Sequence, residues 1–123
     1  MTHTMAIRSA ALSGFLAVAL GAFGAHGLKE LLARHGTTAI WETAVFYHFA
    51  HTVMLYVLAQ RKPVQTGPWF SFLCGILVFS GSLYLLAITN LRWLGAITPI
   101  GGASFLVGWL WLAFGNSSRG GES

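Results

Sequence analysis

Charged side chains are scarce in this chain of 123 residues. It has three acidic residues and seven Lys or Arg, so that 8% of its residues are charged and 55% are hydrophobic. A soluble domain carries about 25% charged residues, and a domain this small must cover a large surface with polar groups. The composition therefore excludes an ordinary soluble domain, a disordered chain and a soluble coiled coil, and it indicates an outer surface in contact with lipid.

Cysteine is almost absent, and the basic residues do not gather on one stretch. Cys74 is the single cysteine, so no internal disulfide can form. The formal net charge is +4, but the cations are distributed between apolar runs, whereas a nucleic-acid-binding surface would concentrate them. We therefore expect membrane lipid and no nucleic acid among the partners.

Long apolar stretches fill most of the chain. A membrane-spanning helix needs about 20 mostly apolar residues, and four stretches of that order lie between the charged positions. The pattern predicts an all-α fold, an integral membrane four-helix bundle in a single domain of residues 1–123. The expected spans are residues 9–25, 39–59, 69–88 and 94–114, followed by a polar tail at 116–123. A membrane β-barrel would need short segments of alternating polarity, which these runs do not show.

Two borders between the expected spans carry specific signals. Residues 28–36 place leucines on one helical face and charged residues elsewhere, which predicts a short amphipathic segment at the membrane interface. Gly36 is expected to end it, and Thr38 to cap the second span. Pro99 suits a helix start with Thr98 as the cap, or else a shallow kink.

Orientation follows from the distribution of Lys and Arg. With four spans the two termini share one side, and that side holds one basic residue more than the other. The basic residues on the side of the termini are Arg8, Arg61, Lys62 and Arg119; those opposite are Lys29, Arg34 and Arg92. We therefore expect a bacterial inner-membrane protein with both termini in the cytoplasm. The alternative for the first span is a cleaved signal peptide.

Small residues recur at helical spacing. Between helices in lipid, close backbone approach and dispersion hold the bundle together. The positions expected to pack are Ser13, Ala17, Gly21, Ala25, Gly75 and Gly108, with Ser9, Ser71 and Ser104 at the same spacing. Packing within the bundle is the favoured interpretation, and binding of lipid or of a partner's helix is the alternative.

Ionisable residues inside a membrane are costly and mark candidate sites. His48 and His51 lie three residues apart on the second span, Glu42 lies near its start, and His26 ends the first span. Three roles are open: hydrogen bonding that fixes helix register, passage of protons or a ligand, or a metal site. No catalytic constellation is visible in the sequence, so we expect neither an enzyme nor a cofactor.

Five blocks of sequence follow one another in order along the chain: GAFGAHGL (21–28), WETAVFYHFAH (41–51), FSGSLYLLAIT (79–89), LGAITPIGG (94–102) and FLVGW (105–109). Together they resemble the domain-of-unknown-function 423 family of small membrane proteins, to which transmembrane protein 256 of animals is similar. The resemblance implies a multi-helical protein of a bacterial inner membrane or an organelle, with no catalytic residues to carry over. His26 and His51 match its motif positions, while His48 falls where many bacterial relatives have Gln. Since Gln and His can both donate and accept, this favours hydrogen bonding over a metal site.

These observations lead to a functional expectation. The chain is expected to be a structural or accessory membrane component that packs against itself, as a homo-oligomer, or against a larger membrane complex through small-residue helix faces. The alternative is a small transporter or proton-linked permeation protein that uses the intramembrane histidines.

Overall fold

The computed structural model describes residues 1–115, and within them every regular element is helical. The α-helices are α1 (His3–Ala25), α2 (Lys29–His35), α3 (Thr38–Ala59), α4 (Thr66–Gly75), α5 (Gly81–Thr89) and α6 (Thr98–Phe114). A π-helical turn, Ile76–Ser80, joins α4 to α5, and a 3₁₀ turn, Arg92–Ala96, precedes α6. The expected polar tail at 116–123 lies outside the described residues.

Three helical segments are long and apolar enough to cross a membrane. They are His3–Ala25, Thr66–Thr89 and Arg92–Phe114. The fourth long helix, α3, has 22 residues but includes Glu42, His48 and His51. Large apolar side chains cover the outside of the molecule, among them Phe15, Phe70 and Leu106. An outer surface of this kind belongs in lipid.

Helix α3 occupies the centre of the fold. It packs against α1 on one side and against α4, the π turn and α5 on another, while α6 packs against α4 and the π turn. The main core includes Leu55 from α3, Phe72 from α4 and Phe105 from α6, and all three are buried. A second, smaller cluster joins Leu32, Trp41 and Ala87 at the end where α2 lies. The long helix that carries Glu42 and both buried histidines is therefore the one that most of the others surround.

Helix α1 begins earlier than the apolar stretch suggested. It starts at His3, and Thr2 caps it by accepting a hydrogen bond from the backbone N–H of Met5 at 3.0 Å. A charged residue such as Arg8 does not end a helix, because its long side chain can reach the interface while the backbone continues. The charge pattern therefore gives the extent of the apolar segment, whereas the Thr2 cap gives the start of the helix.

Gly36 and Pro99 lie where their backbone chemistry places them, whereas Thr38 and Thr98 are not helix caps. Gly36 ends α2 in the left-handed conformation at φ 65°, as expected of a glycine stop. Thr38 is the first residue of α3 and not its cap; Thr37 holds the cap position, and its hydroxyl donates to the carbonyl of Ala87 at 2.8 Å. The prediction for Thr38 was wrong because the tertiary contact of Thr37 fixes where the helix begins.

Pro99 lies in the first turn of α6, the place that the helix-start interpretation gave it. Thr98, however, is the first helical residue, with Ile97 at the cap position. The hydroxyl of Thr98 is 2.6 Å from that of Ser82 on α5. The predicted capping role of Thr98 is thus replaced by a contact between helices.

Candidate functional site

The side chain of His48 connects three helices. It lies on α3, is 5% exposed, and has hydrogen-bond partners at both ring nitrogens. Nε2 is 3.1 Å from the hydroxyl of Ser13 on α1, and Nδ1 is 2.8 Å from the hydroxyl of Tyr84 on α5. The Ser13 hydroxyl is also 2.6 Å from that of Thr52. We call these four residues, Thr52, Ser13, His48 and Tyr84, the His48 network.

The hydrogen bonds of the His48 network do not fix which ring nitrogen of His48 carries the proton. Each hydroxyl group can both donate and accept, so either neutral tautomer of the ring is accommodated. A glutamine offers the same combination of donor and acceptor, which fits the resemblance described above. The arrangement does not depend on imidazole chemistry as such, but on a polar side chain that reaches α1 and α5 from α3.

The hydrogen bonds of His51 define a single tautomer. Nδ1 is 2.9 Å from the backbone carbonyl of Tyr47, which can only accept, so Nδ1 carries the proton. Nε2 is 3.0 Å from the indole nitrogen of Trp109, which can only donate, so Nε2 accepts. The ring stacks on Phe105 with centroids 3.7 Å apart and planes 12° apart. In this arrangement the imidazole is neutral and both of its nitrogens are engaged.

The remaining polar groups of the helix interfaces follow the same rule. Inside lipid no water is available to satisfy a buried donor, so side chains bond to neighbouring carbonyls. Ser80 of the π turn donates to the carbonyl of Ala44 at 2.8 Å, and Trp41 donates to that of Leu20 at 2.9 Å. Within residues 1–115, the one buried side-chain oxygen or nitrogen without a partner is Oε1 of Gln65.

The four candidate polar residues are not brought together in one site. His48 and His51 are buried but belong to separate hydrogen-bonded groups, whereas His26 and Glu42 are exposed near the connection between α1 and α3. The described residues contain no group of three or more His, Cys, Asp or Glu that could hold a metal ion. A metal would also have to displace a hydrogen bond at either buried histidine, so the geometry does not favour a metal site.

Most of the small residues expected to pack lie at contacts between helices, and two of them do not. Ala17 is 1% exposed. A Cβ added to Gly75 would collide with the ring of Phe105, and one added to Gly108 with the ring of Phe72. Ser13 serves the His48 network, and a Cβ on Gly21 would lie a tight 3.2 Å from Val45.

Ala25 and Ser9 lie outside the contact face of α1, where both are exposed. The buried positions near the two ends of α1 are Ala6, Ala10 and Gly24. A strict four-residue spacing drifts around a helix of 3.6 residues per turn, so its outer members leave the contact face. Mixing steps of three and four residues would have found the buried positions.

Several functional side chains were not singled out from the sequence. Tyr84, Thr52 and Trp109 each complete a hydrogen bond to one of the histidines or to Ser13. Tyr84 falls inside one of the recurring blocks, which is the only sequence signal that pointed to it. Trp109 ends the block FLVGW, but nothing in the sequence connects it with His51, because the two residues lie 58 positions apart in the chain.

Comparisons with known proteins identify relatives along most of the chain. The family model described as "Protein of unknown function (DUF423)" matches residues 20–102. The UPF0382 membrane protein YwdK of Bacillus subtilis is 43% identical over 107 residues, which cover 81% of this chain and 85% of the relative. The UPF0382 inner membrane protein YgdD of Escherichia coli is 41% identical over 120 residues, which cover 94% of this chain and 91% of the relative.

A third relative, the UPF0382 membrane protein of Haemophilus influenzae, is 44% identical over 110 residues, which cover 86% of this chain and 88% of the relative. No solved structure matches the chain. The matched region contains α2 to α5 with both histidines, and the relatives are named as membrane proteins. This chain therefore belongs to the DUF423 family of membrane proteins, whose function is described as unknown.

Proposed function

We propose that the chain crosses the bacterial inner membrane four times, with α3 as the fourth span. At about 1.5 Å per residue, its 22 residues reach about 33 Å, enough for a hydrocarbon core of about 30 Å. Its outer side carries exposed apolar residues such as Phe46, Phe49 and Val57, while its histidines are directed into the protein. The two histidines that lower its mean hydropathy are thus out of contact with lipid, and Glu42 is exposed one turn from the start of the helix, near the membrane surface.

The short helix α2 fits the interface in this arrangement. Leu32 is 1% exposed, whereas Lys29, Glu30 and Arg34 are exposed. A helix with one apolar face and a charged opposite face lies in the plane of the headgroups. The name of the Escherichia coli relative supports an inner-membrane location, and the excess of Arg and Lys beside the termini supports their cytoplasmic placement.

Topology can be tested by labelling single cysteines with a membrane-impermeant maleimide. In a Cys74→Ser background, Thr2→Cys and Gln60→Cys should react only after the cells are opened, and Ala33→Cys, between α1 and α3, should react in intact, outer-membrane-permeabilised cells. Reaction of Thr2→Cys and Ala33→Cys together in intact cells would show that α1 does not cross the membrane. Reaction of Ala33→Cys and Gln60→Cys together in intact cells would contradict a span at α3. The reverse pattern would place the termini outside.

For its role, we propose a non-enzymatic accessory component of the membrane that works in a homo-oligomer or a larger complex. One observation carries the proposal: all four ring nitrogens of His48 and His51 are bonded within the chain. The partners of His51 are a carbonyl that can only accept and an indole that can only donate, so its ring passes no proton along these bonds, while the bonds of His48 link α3 to α1 and α5. The polar residues therefore serve to hold helices at fixed register.

The outer apolar faces are the surfaces that remain for a partner. Ala17, Gly75 and Gly108 are already packed against other residues of the same chain. Contacts with another protein would therefore use exposed side chains such as Leu106 and Leu110 on α6. Extraction into polymer nanodiscs followed by native mass measurement should yield an assembly larger than one chain. A monomer without a co-purifying protein would contradict the accessory role.

Proton-linked permeation is the rival function, and a flux assay separates the two. Proteoliposomes containing the wild-type protein should show no more proton flux than empty liposomes. Flux above that background, lost in His48→Gln or His51→Gln while both variants remain folded, would replace the accessory role by permeation. Folding of each variant is checked by helical circular dichroism and by elution volume in detergent.

A further inference from the structure

A groove opens on the outside of the molecule between α1, α2 and α3. Its volume is about 710 Å³, and it is not part of the histidine contacts. Most of its wall is apolar, including Val18 from α1 and Val45, Phe46 and Phe49 from α3. Such a volume lies within the range of about 300–1,000 Å³ that is typical of small-molecule pockets.

The two charged residues of the groove lie at one end of it. Lys29 is the first residue of α2, and Glu42 lies one turn into α3, so both are near the membrane surface where α1, α2 and α3 meet. Both side chains are exposed. The walls beyond them contain Val45, Phe46 and Phe49, without a further charge. The groove therefore has one charged end and one apolar end.

The length of the groove matches one leaflet of a bilayer. The eleven residue steps from Thr38 to Phe49 on its α3 wall correspond to about 16 Å of helix at about 1.5 Å per step. Half of a hydrocarbon core of about 30 Å is about 15 Å. A single acyl chain that starts at the level of Thr38 would thus end at the midplane beside Phe49.

We propose that this groove binds an aminophospholipid, with one acyl chain between α1 and α3, its phosphate at Lys29 and its ammonium group at Glu42. A lysine is a point charge suited to phosphate, and a carboxylate accepts hydrogen bonds from a primary ammonium. A phospholipid with an anionic phosphate and a cationic amine matches this pair of opposite charges. An anionic lipid without the amine would leave Glu42 facing like charge. The inference rests on the proposed span of α3, which the cysteine labelling tests separately, and it is independent of the accessory role.

The test is lipid retention measured by native mass spectrometry of the detergent-purified protein with defined phospholipids added. The wild-type protein should retain phosphatidylethanolamine in preference to phosphatidylcholine and phosphatidylglycerol. Glu42→Gln should remove the preference over phosphatidylcholine, whose quaternary ammonium has no N–H to donate. Lys29→Gln should weaken the binding of all three about fivefold, the effect of one basic residue beside a lipid phosphate.

A blocking variant tests the acyl-chain part separately. Val18 is 63% exposed and lines the groove, so Val18→Trp should fill the groove without disturbing the core, and the lipid adduct should disappear. Leu12→Trp is the matched control, because Leu12 is 65% exposed on the same helix outside the groove. Equal lipid retention by both variants would overturn the proposal. Loss of a dimer instead of a lipid adduct in Val18→Trp would overturn it too, since a second chain would then be the occupant.

Discussion

The indole N–H of Trp109 donates to Nε2 of His51 at 3.0 Å, and this contact joins α6 to α3. Because the opposite nitrogen of the ring donates to the carbonyl of Tyr47, the contact requires the neutral ring with its proton on Nδ1. The same ring stacks on Phe105 of α6. His51 therefore fixes the register of α3 against α6 in two ways, by a hydrogen bond at the edge of its ring and by stacking of the ring face.

Trp109→Phe should destabilise the fold. The substitution removes the donor and leaves Nε2 of His51 unpartnered in a buried position, at a cost of about 1 kcal/mol in the free energy of unfolding. Unfolding in mixed micelles with increasing dodecyl sulfate measures the change. Trp93→Phe is the control, because Trp93 is 63% exposed. If the two variants unfold at the same detergent fraction, the hydrogen bond contributes nothing to stability.

His48→Ala should lower stability more than His48→Gln, since glutamine can still donate to one helix and accept from another. The alanine variant leaves the hydroxyls of Ser13 and Tyr84 without their shared partner. A double-mutant cycle with Tyr84→Phe should give a coupling energy of about 0.5–2 kcal/mol, as expected for residues in contact. Additive effects of the two substitutions would show that the 2.8 Å contact carries no energy.

Gly108→Ala and Gly81→Ala should have opposite effects. A Cβ on Gly108 would overlap the ring of Phe72, whereas a Cβ on Gly81 meets nothing within 4 Å. Overpacking costs about 1–3 kcal/mol, while alanine in an open helical position is favoured over glycine by up to about 1 kcal/mol. Thermal melting in detergent should place Gly108→Ala below the wild-type protein and Gly81→Ala at or above it. A tolerated Gly108→Ala would mean that α4 and α6 can separate freely.

Ala10→Leu and Ser9→Leu test which face of α1 is packed. Ala10 is 1% exposed in the main core, while Ser9 is exposed. The larger side chain at position 10 should lower the melting temperature, because it would push α1 away from its neighbours. The same side chain at position 9 should be tolerated, since it would face lipid. Greater destabilisation by Ser9→Leu than by Ala10→Leu would show instead that α1 packs through the strict four-residue spacing.

The predictable part of the fold came from features that act locally. The scarcity of charge and the apolar runs indicated helices in lipid. Gly36 was expected to end a helix because glycine itself adopts the left-handed conformation without strain, and Pro99 was expected in a first turn because it lacks an N–H. Each of these signals depends on a residue and its immediate neighbours. The cap at Thr37 escaped prediction, because its hydroxyl bonds to Ala87, 50 positions away.

Only part of the candidate site could be predicted from the sequence. His48 and His51 were selected because an imidazole inside a membrane is costly. Their partners were missed, since Tyr84 and Trp109 are aromatic residues like many others in the chain until α5 and α6 bring them to α3. The expected grouping with His26 and Glu42 did not occur, because both are exposed near the connection between α1 and α3.

The amino-acid composition alone determined the solvent of this protein, because a chain with so few charges can cover its surface only with apolar groups, and those are stable against acyl chains. Only the tertiary structure decided what the buried histidines do. Imidazole can donate, accept, carry a proton or hold a metal, and the choice depends on which atoms lie within about 3 Å of its two nitrogens. Those atoms come from α1, α3, α5 and α6, and their meeting is a property of the packed helices and not of any segment of the chain.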